Sequence, residues 1–178
     1  DGLDAALAAT APAAWVVLTS ARAVKALLER VSGAGGPGLA RLGHRWAAVG
    51  ESTARAARRA GIVVDFQPEA PTGRALADGL PLLPGERVVV PRGDLADPDL
   101  PRRLAERGAR VEEFVVYRTI EGPSTSAAPL RRAIASSPAA VVLASGSAVR
   151  GWLGLADAQG LGARVRSVPV VAIGPTTA

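Results

Sequence analysis

Cysteine and methionine are both absent from these 178 residues, histidine and tyrosine occur once each, and aromatic residues make up only 3%. Without cysteine there are no disulfides, no thiol nucleophile and no thiolate metal site, and a lone histidine rules out an imidazole cluster. No apolar run approaches the length of a membrane span, and the first residues lack the basic end and greasy middle of a signal peptide. The expectation is therefore a soluble, cytosolic protein. Aromatics this sparse, with no basic run interleaved among them, argue against nucleic-acid binding. The missing Met, and an end at Ala178 where a helix is about to begin, lead us to expect a piece of a longer chain trimmed at both ends.

What is present is apolar residues, at 48%, enough for a sizeable core, and a net charge of +5 carried almost wholly by Arg. That charge suits an anionic partner, although Arg in an Ala-, Gly- and Pro-rich chain also follows from base composition alone. Short Val-rich runs stand at WVVLTS (15–20), RWAAVG (45–50), IVVDF (62–66), RVVVPRG (87–93), VEEFVVYRT (111–119), AAVVLAS (139–145) and VPVVAIG (168–174). Bounded by Gly, Pro or Ser, they read as buried parallel strands. Amphipathic helices fill the intervals: AVKALLERV, STARAARRAG, GRALADGL, DLPRRLAERG, PLRRAIAS and AVRGWLGL. Gly61 and Gly108 stand where a left-handed helix end is easiest. Strand alternating with helix predicts an α/β fold, a parallel sheet with helices on both faces.

Two strand-to-helix junctions recur. VVLTSARAV from Val16 returns as VVLASGSAV from Val141, an offset of 125 residues, and WAAVGESTA returns as VVAIGPTTA, with Gly50 and Gly174 offset by 124. Paired signals at one spacing predict two similar α/β domains, the alternative being that βα turns in an Ala- and Val-rich chain look alike. The break is expected near IEGPSTSAAP (120–129), a stretch of linker character.

Each recurring turn runs a strand into small residues at the start of a helix, where the first backbone N–H groups have no partner and the helix dipole is positive. Such a turn holds a carboxylate or phosphate, or it is plain capping by Ser and Thr. The candidate binding residues are Thr19 and Ser20, Gly50, Ser52 and Thr53, Ser145, Gly146 and Ser147, and Gly174, Thr176 and Thr177. Pro175 suits a first helical turn. In doubly wound sheets ligands sit at the carboxyl ends of strands, so two domains facing each other would line a cleft with these turns. Arg92, after VVVP, is a further candidate for a substrate carboxylate, or else a solvated turn residue. Gly33, Gly35 and Gly38 have G-x-G-x-x-G spacing but follow a helix instead of a strand, so they read as a flexible loop. Arg92, Gly93 and Asp94 spell an adhesion tripeptide by coincidence, and His44 reads as a surface or strand-edge residue.

FVVYRT (114–119), the stretch VVVPRGDLADPDLPRRLAERGARVEE before it, and the turns VVLTSARAV, VGESTA, VVLASGSAV and IGPTTA, taken in this order, resemble uroporphyrinogen-III synthases over most of the chain. The resemblance implies two flavodoxin-like domains joined by a two-stranded linker: residues 1–117 as the continuous domain, 118–127 as linker, and 128–178 as part of a split domain. It implies a cofactor-independent, monomeric enzyme that closes the linear polycarboxylate hydroxymethylbilane into uroporphyrinogen III, with loss of water and inversion of the last ring. It further implies that Tyr117 donates a proton to the departing hydroxyl and that Thr177 is a binding threonine; a strand-end packing role for Tyr117 stays open. The hydroxyl pattern is not symmetric, since Ala144 and Gly146 stand where the first copy has Thr19 and Ala21. A two-lobed, non-enzymatic binding module for a small anion is the competing class, and it would use the same turns.

Overall fold

The computed structural model describes residues 2–3, 15–33, 43–174 and 177. The chain divides into two compact units, Asp1–Arg118 and Thr119–Ala178.

In the first unit β1 (Trp15–Leu18) leads into α1 (Ala21–Gly33), β2 (Arg45–Ala48) into α2 (Glu51–Arg59) and then α3 (Gly73–Gly79), and β3 (Arg87–Gly93) into α4 (Asp99–Glu106) and β4 (Arg110–Tyr117). The strands form one parallel sheet in the order β2-β1-β3-β4. β1 lies inside that sheet, and all four of its residues are buried, which is why it reads as an unbroken apolar run. Its side chains alternate between two cores. Val16 and Leu18 pack with Val24, Leu27, Ala57 and Ile62, beneath α1 and α2, while Trp15 and Val17 pack with Leu76, Leu80, Leu100 and Leu104, beneath α3 and α4. Each such Val or Leu contributes about 1.5–3 kcal/mol by leaving water.

One expected strand is not formed. Residues 62–66 run beside β2 but make only a single bridge, Ala47 with Phe66. The Asp65 carboxylate accepts the Trp46 N–H at 2.7 Å, taking the donor that a paired strand would have used, and Val63 is left exposed. His44, read as a surface or strand-edge residue, directly precedes β2 and is buried, its ring edge-on to Trp46. Gly33 belongs to α1 instead of a loop, and Gly35 and Gly38 lie outside the described residues.

In the second unit a 3₁₀ turn, Ser124–Ser126, precedes α5 (Ala127–Ala135), β5 (Val141–Leu143), α6 (Gly146–Ala158), α7 (Gly162–Arg166) and β6 (Val170–Ala172). The described residues 118–127 hold that turn and no strand. β5 and β6 pair in parallel, and Leu130, Ile134, Ala156 and Val165 form the core between the helices. The helix α7 has no counterpart in the sequence reading, because five residues are too few to show a period.

Candidate functional site

The recurring turns of the sequence are recurring structures. In the first unit the Val49 N–H donates to the Leu18 carbonyl at 3.0 Å; in the second the Ile173 N–H donates to the Leu143 carbonyl at 3.1 Å. Ser20 and Ser145 each accept a hydrogen bond on Oγ from the N–H three residues on, Ala23 at 3.1 Å and Ala148 at 3.2 Å. The Thr53 N–H donates to the Gly50 carbonyl at 3.0 Å, and the Thr177 N–H to the Gly174 carbonyl at 2.9 Å. Every one of these bonds is displaced along the chain by the 124 or 125 residues seen in the motifs. Each unit thus sets one serine-capped turn beside one glycine turn, at the carboxyl ends of two adjacent parallel strands.

The glycine turn of the first unit is tight because Gly50 lies against Pro71: a Cβ there would be 2.9 Å from the proline Cβ. Gly50 also brings no side chain to cap α2. The open amides at that end are the ones suited to an anion, but the first turn carries Glu51, whose carboxylate is drawn to Arg58 at 3.2 Å. Ser52 is exposed, whereas Thr53 is buried and packs inward. Thr19 and Ser20 are half-buried. In the second unit Ser145 is exposed and shares a hydrogen bond with Ser147 at 2.9 Å, and Gly146 begins α6. Gly174 has open space where a side chain would be. Thr177 borders a recess of about 390 Å³ with Leu143, Val149, Trp152 and Arg166. Thr176 and Pro175 lie outside the described residues.

Tyr117 closes β4 and reaches Ser20, the two hydroxyl oxygens being 3.3 Å apart, a long hydrogen bond. The contact crosses a strand, because β3 lies between β1 and β4. Neighbouring strands are about 4.8 Å apart, so the phenol, the hydrogen bond and the serine side chain together span two such spacings. Two features make this possible. A bulge in the β3–β4 pairing, where Arg92 faces Val115 but Gly93 faces Tyr117, shifts the phase of the tyrosine by one residue. At that position β3 has a glycine, and a Cβ on it would lie 2.6 Å from Tyr117 Cζ and 2.8 Å from its hydroxyl. In the sequence Gly93 stands only within a tripeptide set aside as coincidence; its signal is a glycine ending one Val-rich run and the only tyrosine ending the next.

Arg92 is neither solvated nor open. Its side chain is 14% exposed, and the guanidinium is engaged by the Glu113 carboxylate and the Ala96 carbonyl. Any substrate carboxylate would compete with Glu113 for it. Among the described residues no group of three His, Asp or Glu is disposed to hold a metal ion, and no helix is long and apolar enough to cross a membrane.

The whole chain, residues 1–178, matches the family described as uroporphyrinogen-III synthase HemD. A curated relative, the chloroplastic uroporphyrinogen-III synthase of Oryza sativa subsp. japonica, is 30% identical over 151 residues, covering 80% of this chain and 48% of its own length. The chain thus spans about half the length of that relative. Two solved structures of uroporphyrinogen III synthase from the extremely thermophilic bacterium Thermus thermophilus are similar: a mutant at 25% identity with TM-score 0.62, and the wild type at 26% with TM-score 0.59. Each match covers 97% of this chain and 68% of the Thermus chain.

Proposed function

The chain belongs to the uroporphyrinogen-III synthase family, and on that premise we propose that the protein converts hydroxymethylbilane into uroporphyrinogen III. The observation that carries this reading is the family match along residues 1–178. In the reaction the terminal hydroxymethyl carbon loses its hydroxyl as water, leaving an azafulvene that the far pyrrole attacks at its substituted carbon. The resulting spiro intermediate breaks and recloses with the last ring inverted. Closure without inversion runs spontaneously in water, so the protein's main task is to hold the chain ends in the one arrangement that leads to the spiro product.

The turns at Thr19–Ser20, Gly50–Ser52, Ser145–Ser147 and Gly174–Thr177 are our candidates for holding the substrate's carboxylates, through backbone N–H groups and exposed hydroxyls. Their repetition in both units supports that role. Tyr117 is the candidate proton donor to the departing hydroxyl. In the arrangement this role requires, Ser20 Oγ accepts the Ala23 N–H and donates its own proton to the phenol oxygen, which leaves the phenol proton for the substrate. Thr53 and Arg92 act here through packing and turn structure. The proposal includes two flavodoxin-like domains, 1–117 and 128–178 with the linker 118–127 between them, in a cytosolic monomer that calls on no cofactor.

The test is product analysis: the full-length protein is given hydroxymethylbilane and the isomers are separated. The III isomer is expected to dominate. Accumulation of the spontaneous I isomer alone would overturn the reading, and tight binding of hydroxymethylbilane without turnover would favour a binding module.

A further inference from the structure

We infer that Gly93 is a positioning residue for Tyr117, its lack of a side chain being what lets the phenol cross β3 and reach the Ser20 turn. The inference deepens the reading of Tyr117 given above and rests on it. It starts from the spacing: the tyrosine hydroxyl lies 3.3 Å from a residue that follows β1, while its own strand is separated from β1 by β3. A ring that crosses a strand must lie close over that strand's backbone, and the three atoms nearest to an added Cβ on Gly93 are Tyr117 Cζ, Cε2 and the hydroxyl, at 2.6, 2.7 and 2.8 Å. Those are the far end of the ring, the part that would carry the chemistry. Alanine at this position would therefore move the hydroxyl itself. The bulge between Arg92 and Gly93 sets the tyrosine opposite the glycine; a regular ladder would have set Val116 there.

A purely structural glycine and a positioning glycine give different kinetics. In the full-length protein, Gly93→Ala is expected to lower kcat for the III isomer roughly tenfold with KM unchanged, since a displaced donor weakens the chemical step and leaves substrate binding alone. Added to Tyr117→Phe, which keeps the ring and removes the hydroxyl, the same change is expected to cost less than about twofold. An equal loss in both backgrounds would overturn the inference. A second readout needs no activity: with ring-labelled tyrosine, the NMR signal that Tyr117→Phe removes is expected to shift in Gly93→Ala, and an unmoved signal counts against the proposal. If Gly93→Ala fails to fold, Tyr117→Ala is added to it. Recovery of the fold identifies the ring as the reason for the glycine, and continued misfolding, with Tyr117→Ala alone folding, overturns it. If the wild type made only the I isomer, the proposed function would fall while the NMR and refolding results still judged the placement of Tyr117.

Discussion

Gly122 and Gly151 meet backbone to backbone: a Cβ on Gly122 would lie 2.6 Å from the Gly151 carbonyl oxygen, and one on Gly151 would lie 2.5 Å from the Gly122 nitrogen. The contact presses the segment after Tyr117 onto α6, and Arg150 fastens it there by donating from Nε and Nη2 to the Glu121 carboxylate at 2.6–3.0 Å. Gly122 has φ +57, which suits a residue without a side chain.

Ordinarily Gly→Ala inside a helix stabilises by about 1 kcal/mol. Gly151→Ala is expected to do the reverse, destabilising the second unit by about 1–3 kcal/mol, because the new methyl has backbone in its way. Gly154, three residues on in the same helix, has nothing within 4 Å, so Gly154→Ala should show the ordinary gain. Denaturant midpoints of the two variants check this. A gain in both would mean that the segment lifts freely from α6.

Tyr117→Phe should reduce turnover to the III isomer by about 10- to 100-fold without abolishing it, because proton donation assists a departure that already proceeds unaided. Steady-state rates with hydroxymethylbilane measure it. A variant at the wild-type rate removes Tyr117 from the acid role.

The two serine caps offer a matched comparison. Ser20→Ala and Ser145→Ala each leave one helix N–H without its partner, Ala23 or Ala148, and each is expected to cost about 1 kcal/mol. Hydrogen exchange at those two amides reads the effect locally. Equal protection in variant and parent would show that the caps are idle.

The pair Arg87–Glu112 makes stability depend on pH. Arg87 donates to both carboxylate oxygens, from Nε at 2.7 Å and from Nη2 at 2.9 Å, and these bonds hold the Glu112 carboxyl below the usual carboxylate range. A depressed folded-state value means that the stabilisation is complete above the unfolded value and disappears as pH falls through the folded one. Glu112→Gln should therefore be less stable than wild type at neutral pH, by a modest amount since the carboxylate is partly exposed. The difference should shrink as the solution is acidified. A gap that widened toward acid would contradict the pairing, and urea midpoints across pH decide it.

Much of this architecture was legible because β1 and β3 are buried on both faces and so show as plain apolar runs, while α1, α2 and α4 carry clear amphipathic spacing. Residues 62–66 misled because they have the composition of a strand, and nothing in composition shows that the Asp65 side chain will take the Trp46 N–H. The two serine turns were found by their repetition. The pairing of the first of them with Tyr117 was not, because Ser20 and Tyr117 are 97 residues apart and meet only through the order β1-β3-β4, which is a property of the sheet and not of any local stretch. Arg92 looked like an open cation because the glutamate that engages it comes from the neighbouring strand, 21 residues on.

The strands of the first unit all point the same way, so its own hydroxyls, those of Ser20, Ser52 and Tyr117, gather along one rim of the sheet and leave the other to simple connections. On that far side Gly85 and Gly108 lie where the chain enters β3 and β4, joined by a 2.7 Å bond from the Gly85 N–H, and Leu83, just before that turn, is exposed. An epitope or a fluorophore grafted at Leu83 would ride on the back of the sheet, and the protein could be tracked or tethered there with the hydroxyl rim untouched.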